Sequence, residues 1–154
     1  MTILIRNRQK RLKLDLARVR YDLRRIMNLT GCDDREISLL LVDDEGIREI
    51  NLQYLDRDYA TNVISFPLGE GEFGQINPQL LGDIVISVER AAAEALECSV
   101  DFPDMLDFLM IHGLLHLLGY DHEGTDSRQE QLMQCKQEGV FFSLRGYELD
   151  SGTR

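Results

Sequence analysis

The residues of this 154-residue chain with the clearest chemical potential are its three histidines, which lie within one short segment, HGLLHLLGYDH. His112 and His116 are four positions apart, so in a helix both rings lie on one face and can reach one metal ion at about 2.0–2.1 Å. Gly119 can adopt the left-handed backbone that ends a helix, which allows the chain to reverse and bring His122 back as a third ligand. The spacing therefore predicts a three-histidine metal site.

Three neutral imidazoles that leave one coordination position vacant are typical of a catalytic zinc site. Water in that fourth position has its pKa lowered to about 7 and becomes a nucleophile at neutral pH. We therefore expect one Zn²⁺ ion on His112, His116 and His122, with His112 also catalytic through the metal. Imidazole sites accept nickel, copper and iron as well, so the identity of the metal is left open. A closed structural site is an alternative, and it would need a cysteine as the fourth ligand.

The histidine spacing is similar to that of the metzincin peptidases, whose zinc ligands follow the pattern HExxHxxGxxH. The glutamate that acts as general base in those enzymes is replaced here by Gly113. Asp121 and Glu123 flank the third histidine and are the remaining candidates for a base, although either could instead support the ligands or cap a turn. A metallopeptidase or other small-molecule hydrolase is an alternative function, and Gly113 counts against it.

Apolar periodicity predicts the elements that must position these histidines. Helices are expected from Leu12 to a terminating Gly31, from Asp43 or Asp44 through Leu55, from a Ser87 cap through ERAAAEALE, from Phe102 to Leu118, and after an Asp126–Gln129 capping box. Strands are expected at Met1–Ile5, Ile37–Val42, Val63–Leu68 and Asp83–Ser87, the third at a sheet edge because it contains Pro67. The order β α β α β β α α α predicts one α+β domain over residues 1–154, with a small mixed four-stranded sheet, about five helices and a metzincin-like zinc helix.

Charge is distributed unevenly along the chain. Residues 1–25 hold nine basic and two acidic side chains, a local charge of +7, whereas the other residues carry −17 and the whole chain −10. A net charge this negative argues against a protein that coats nucleic acid through bulk positive charge. The basic segment is either a solvated surface or an anion-binding surface, and its composition alone leaves both possibilities open.

The cysteines and the apolar stretches indicate the cellular compartment. Cys32, Cys98 and Cys135 are odd in number and far apart, which favours reduced intracellular thiols over a disulfide framework. The longest apolar stretch, Met105–Gly119, contains Asp107 and two histidines and is shorter than the roughly 20 residues that span a bilayer. The N-terminus lacks the basic-then-apolar order of a secretory signal. We expect a cytoplasmic protein without a membrane partner.

Three segments of the chain resemble the YbeY family of bacterial endoribonucleases. The histidine segment matches the family signature H-G-x-L-H-L-x-G-Y-D-H at every fixed position. The segment from Asn51 to Pro67 is similar to N-x-x-Y-R-x-x-D-x-P-T-D/N-V-L-S-F-P, and the segment from Leu81 to Ser87 to the strand motif L-G-D-I-x-I-S. The order and spacing of the motifs extend the resemblance over nearly the whole chain.

The resemblance implies a single-strand-specific, metal-dependent endoribonuclease that processes ribosomal RNA, including the 3′ end of the 16S RNA, and acts in ribosome quality control. It implies zinc on His112, His116 and His122. The implied partners are single-stranded RNA, ribosomal RNA and the small ribosomal subunit or its proteins. A non-catalytic, zinc-stabilised module that associates with the ribosome is a further alternative.

Two positions depart from the family pattern, because Leu55 stands at the usual arginine and Ala60 at the usual proline. Arg57, two residues after Leu55, is the candidate to offer a guanidinium to a phosphate. Asn62 and Ser65 are predicted polar contacts for the substrate, and roles at a strand end or turn are the alternative for both.

Overall fold

The computed structural model describes residues 2–68, 79–120 and 127–149. Its elements in chain order are β1 (Ile3–Asn7), α1 (Leu16–Leu29), β2 (Glu36–Val42), α2 (Asp44–Leu55), β3 (Val63–Pro67), β4 (Leu80–Ser87), α3 (Val88–Cys98), α4 (Phe102–Leu117) and α5 (Ser127–Arg145). The predicted order of elements is confirmed, as is the α+β class with four strands and five helices in the described ranges.

The four strands form one mixed sheet in the order β1-β2-β4-β3. The first three strands in this order are parallel, whereas β3 runs antiparallel to β4, with Val63 opposite Ile86 and Pro67 opposite Gly82. The prediction that Pro67 marks an edge strand is confirmed, since an edge strand tolerates a residue without an N–H donor. Because β3 is antiparallel to its neighbour, it starts at the end of the sheet where the C-terminal ends of β1, β2 and β4 lie.

Apolar side chains on both faces of the sheet are covered by helices. On one face Leu39 and Leu41 of β2 join the main core, to which α1, α3, α4 and α5 contribute. On the other face the neighbouring Val42 joins a smaller cluster that includes Ile47 of α2. Such alternation is what a strand buried on both faces requires. Helix α4 packs against β3, β4, α1, α3 and α5 and so occupies the centre of the larger layer.

Helix α1 begins later than predicted. The expected start at Leu12 is wrong by about one turn, because the side chain of Asp15 accepts the N–H of Arg18 and caps a helix whose first residue is Leu16. Leu12 instead lies in the preceding loop, where its N–H is bonded to Gln9 Oε1 and its side chain packs partly buried against the core. The apolar spacing continues past the helix because the loop residue also packs inward.

Other helix ends follow the predicted local signals. Asp43 caps α2 and Ser87 caps α3, each by accepting a backbone N–H of the first turn. The predicted cap at Asp126 lies outside the described residues. The three cysteines are free. None of the helices in the described ranges has the length and apolarity needed to cross a membrane.

Candidate active site

Helix α4 places two of the three histidines side by side. The ring centroids of His112 and His116 are 4.8 Å apart, and the ring planes meet at 68°. Both side chains are partly buried, whereas most residues of the helix are fully buried. Because the rest of α4 is held in the core, the two rings have a fixed position at its C-terminal end.

Gln137 of α5 fixes the orientation of one of these rings. Its Oε1 lies 2.6 Å from Nδ1 of His112. A carboxamide oxygen can only accept a hydrogen bond, so this contact fits the tautomer with the proton on Nδ1, in which Nε2 carries the lone pair that a metal ion requires. Gln137 is only 5 % exposed. A buried polar partner behind an imidazole is the usual support for a metal-binding histidine, so the described pair fits zinc in donor type and tautomer.

The chain turns at Gly119 directly after these histidines. Its φ of +101° is in the range that favours glycine, and its N–H bonds to the carbonyl of His116. His122, Asp121 and Glu123 lie outside the described residues. Within residues 2–68, 79–120 and 127–149 no three His, Cys, Asp or Glu side chains are grouped to hold a metal ion. The third ligand therefore stays a prediction.

The absence of a glutamate after the first histidine has a packing reason. A Cβ on Gly113 would lie 2.8 Å from Cγ2 of Ile84, closer than such atoms approach. The hydroxyl of Ser65 donates to the carbonyl of Gly113 at 2.8 Å, which also holds α4 close to β3. This part of α4 lies too near the sheet to carry the base of a metzincin peptidase.

All the predicted site residues that the structure describes line one cavity of about 460 Å³. They are Arg57, Asn62, Ser65, His112 and His116. Leu55, at the position of the family arginine, lines the same cavity. Residues from α2, β3, α4 and the α2–β3 connection therefore converge on one concave surface.

The α2–β3 connection is held in place by Asn51, which is 2 % exposed. Its side-chain Nδ2 donates to the carbonyl of Tyr59 at 3.0 Å, and its main-chain carbonyl accepts the N–H of Arg57 at 3.2 Å. Asp58, between these two residues, pairs with Arg48 at 2.6 Å. Arg57 and Tyr59 consequently line the cavity from a braced loop.

The structure shows which internal bonds the two predicted polar contacts make. Nδ2 of Asn62 donates to Glu94 at 2.9 Å, and its Oδ1 accepts the N–H of Val63 at 2.7 Å. Both ends of this amide are thus engaged at the start of β3. Ser65 uses its proton toward Gly113, and its oxygen can still accept a bond from the cavity. Contact of either residue with a substrate stays a prediction.

The cysteines lie in other environments. Cys32 is buried beside Thr30, and this burial raises the pKa of its thiol. Cys98 lines a different cavity, and Cys135 is exposed on α5. Among the described residues no cysteine forms a metal-binding group with His112 and His116, and a closed structural site stays an alternative.

A second polar cluster occupies the other half of α4. Arg145 of α5 donates to Asp107 at 2.6 Å, lies 3.3 Å from Asp104 and pairs with Asp22 of α1. Burial and the neighbouring carboxylate of Asp22 raise the pKa of Asp107 to about 8, although Arg145 acts in the opposite direction. Tyr147 donates to Asp104 at 2.8 Å, and burial together with this bond raises the pKa of its hydroxyl.

Sequence reasoning missed the supporting residues Gln137, Asn51 and Tyr59. For Gln137 a signal was present, because it is a polar residue within the buried stripe of α5 formed by Met133, Val140, Phe141 and Leu144. Asn51 likewise lies one turn after the buried Ile47 of α2. A polar residue inside an apolar stripe indicates an internal hydrogen-bond partner.

Comparison with known proteins gives consistent matches. The model of the family described as Endoribonuclease YbeY matches residues 4–145. Endoribonuclease YbeY of Syntrophus aciditrophicus is 53 % identical over 150 residues, covering 97 % of this chain and 94 % of that protein. The protein of the same name from Geobacter metallireducens is 44 % identical over 144 residues, covering 94 % and 96 %. A Thermotoga maritima protein of known solution structure has a TM-score of 0.64 and 25 % identity, covering 94 % of this chain and 89 % of that one.

Proposed function

The chain belongs to the YbeY endoribonuclease family, and on this premise we propose that it hydrolyses phosphodiester bonds of single-stranded RNA in the histidine-lined cavity. The observation that carries the proposal is that His112, His116 and Arg57 line the same cavity. Phosphodiester hydrolysis requires an activated water and a positive group that binds the phosphate. Imidazole metal ligands and a guanidinium are suited to these two tasks.

We propose zinc as the metal, with His112, His116 and His122 as its ligands. When bound, zinc would lower the pKa of water to about 7 and polarise a phosphoryl oxygen. Gln137 keeps the His112 ring in the tautomer that offers Nε2 to the metal. With water acidified in this way a separate glutamate base is not required, which agrees with the absence of space at Gly113.

Arg57 is the proposed phosphate-binding residue. The bonds of Asn51 to the α2–β3 connection hold its backbone. Leu55, at the position of the family arginine, lines the same cavity as Arg57. Because guanidinium and phosphate form paired hydrogen bonds, Arg57 can orient a phosphodiester in the cavity.

Two basic side chains of α1 have internal partners. Arg18 pairs with Asp22 and Asp104, and Arg20 donates to the carbonyl of Ile3. In the preceding loop the basic side chains are exposed and make no ion pair within 4 Å in the described ranges; they are Arg8, Lys10, Arg11 and Lys13. This loop follows the C-terminal end of β1, at the same end of the sheet as the start of β3. We propose that it attracts RNA phosphates, which makes binding sensitive to salt.

The finer biological role rests on the family resemblance. We propose processing of ribosomal RNA at the 3′ end of the 16S RNA, a part in ribosome quality control, a cytoplasmic location, and the small ribosomal subunit or its proteins as partners. The acidic remainder of the chain supports such selectivity, because its charge of −17 opposes binding to RNA in general.

A direct test uses three labelled substrates, namely single-stranded RNA, double-stranded RNA and an unstructured protein, each with and without a chelator. We expect chelator-sensitive cleavage of the single-stranded RNA only. Cleavage of the protein would favour a metallopeptidase. No cleavage of any substrate, combined with one tightly held zinc and a loss of stability on chelation, would favour a non-catalytic module.

A further inference from the structure

The rim of the histidine-lined cavity carries large side chains that remain exposed. Tyr59, which lines the cavity, is 52 % exposed, and Leu55 is 41 % exposed. Adjacent exposed apolar side chains of this size indicate a binding surface.

The backbone at Tyr59 is braced although its ring is exposed. The buried amide of Asn51 holds the Tyr59 carbonyl at 3.0 Å, and the adjacent Asp58 is held by Arg48 at 2.6 Å. A tyrosine has two side-chain torsions, so little conformational entropy is lost when its ring is immobilised. The ring is therefore prepared to receive a flat group that enters the cavity.

We infer that Tyr59 stacks on a base of single-stranded RNA whose neighbouring phosphate is bound by Arg57. This inference rests on the proposed function and names the group that selects the single-stranded substrate. Arg57 and Tyr59 line the same cavity, whereas Asp58 between them pairs with Arg48, so a cation and an aromatic ring are presented together. Alternating backbone charge and flat bases are the features of a single strand that such a pair fits.

Stacking on Tyr59 would distinguish single-stranded from double-stranded RNA. In a duplex both faces of each base are covered by neighbouring bases, and a protein side chain cannot reach them without unstacking the helix. A phosphate contact alone would be available in either form. The ring of Tyr59 thus supplies a discrimination that Arg57 cannot supply.

A protein partner is the competing candidate to cover these apolar side chains. RNA is favoured because Tyr59 lines a concave surface that also contains Arg57, His112 and His116. An apolar protein segment placed there would bury the guanidinium of Arg57 without supplying an anion, which is unfavourable. A phosphodiester supplies that anion.

The test measures RNA affinity for Tyr59→Ala, Tyr59→Phe and the wild-type protein. Fluorescence anisotropy is used with the metal-loaded protein, and the probes are a labelled single-stranded RNA with a nuclease-resistant backbone, an abasic strand of the same length and backbone, and a duplex. Tyr21→Ala is the matched control, because Tyr21 is 63 % exposed but lies on α1. Urea unfolding of each variant establishes that it is folded.

We expect Tyr59→Ala to weaken single-strand binding by about 5- to 150-fold, the range for loss of one stacked base. Tyr59→Phe and Tyr21→Ala should bind as the wild type does, and duplex affinity should not change in any variant. The abasic strand should bind wild type and Tyr59→Ala equally. Unchanged single-strand affinity of Tyr59→Ala would overturn the inference, as would equal losses for the abasic and natural strands, or no binding of single-stranded RNA by the wild type.

The design distinguishes a failure of the inferred base stacking from a failure of the proposed hydrolysis. If the affinity loss is observed but the wild-type protein with metal does not cut RNA, the stacking role of Tyr59 is supported and the proposed hydrolysis is wrong. If the wild type cuts single-stranded RNA and Tyr59→Ala binds it with wild-type affinity, the proposed hydrolysis is supported and the stacking role of Tyr59 is wrong.

Discussion

The two halves of helix α4 carry polar clusters that differ in what their side chains face. In the first half Asp104 and Asp107 point to Arg145, and in the second half His112 and His116 line a cavity. Helix α5 supports both clusters, through Arg145 in one and Gln137 in the other. The same pair of helices thus holds an internal ion network and a candidate active site.

The partners of each cluster explain the difference. Arg145 contacts the carboxylates of Asp22, Asp104 and Asp107, of which the last is 1 % exposed. All of these groups have internal partners, so the cluster stabilises packing of α1, α4 and α5. In the histidine cluster Gln137 occupies one ring nitrogen of His112 while the ring itself lines a cavity open to substrate. We infer that the first cluster serves the fold and the second serves catalysis.

Replacing Arg145 by alanine should have the largest effect on folding. The variant would leave buried carboxylates without their cation, and we expect the free energy of unfolding to fall by about 3–5 kcal/mol. Urea denaturation measures this loss. Arg48→Ala is the control, because its pair with Asp58 is more than half exposed and is screened by solvent, so its loss should change the free energy of unfolding far less. Equal losses in the two variants would show that the buried network does not stabilise the fold.

Replacing Gln137 by leucine should instead affect the metal. Removal of the partner of Nδ1 should reduce zinc affinity by about 10- to 100-fold, since the His112 ring loses its fixed tautomer and orientation. Competition with a chromophoric chelator measures the affinity. Gln134→Leu is the matched control on the exposed side of α5, where Gln134 donates to Glu138 at 3.4 Å. Wild-type zinc affinity in Gln137→Leu would contradict the anchoring role.

The pH dependence of folding should be sensitive to Asp107. Its pKa is about 8 in the folded state against an ordinary value of 3.8, so the folded protein retains a proton that the unfolded chain releases. Stability should therefore decrease as the pH rises through the interval between these values. The facing groups are Asp22, Asp104 and Arg145.

Asp107→Asn removes this titration, so its unfolding free energy should vary less than that of the wild type between about pH 5 and pH 8. Urea denaturation across this range, with Asp58→Asn as an exposed control, provides the measurement. Parallel pH profiles for Asp107→Asn and the wild type would exclude Asp107 as the titrating group.

The sequence allows prediction of features that depend on neighbouring residues. The caps at Asp43 and Ser87 and the turn at Gly119 depend on local backbone groups, and the structure places them as expected. The start of α1 was predicted one turn early, because Leu12 continues the apolar spacing from within a loop. Periodicity reports which side chains face the core, and it does not report where the helix begins.

Features that depend on distant contacts could not be predicted. Arg145 and Asp22 are 123 positions apart, and His112 and Gln137 are 25 positions apart, so only the folded arrangement reveals these pairs. The requirement for glycine at position 113 also depends on Ile84 of β4, which occupies the space that a side chain would need. The residues that could bind metal were visible in the sequence, whereas the residues that orient them were not.

Cleavage of labelled single-stranded RNA by His116→Ala, with and without a chelator, tests most directly whether the second half of α4 serves catalysis. We expect no chelator-sensitive cleavage and a loss of bound zinc, because the variant lacks one of the proposed metal ligands. Cleavage at the wild-type rate, or a full equivalent of zinc retained by the variant, would contradict the assignment of the histidine cluster as the catalytic site.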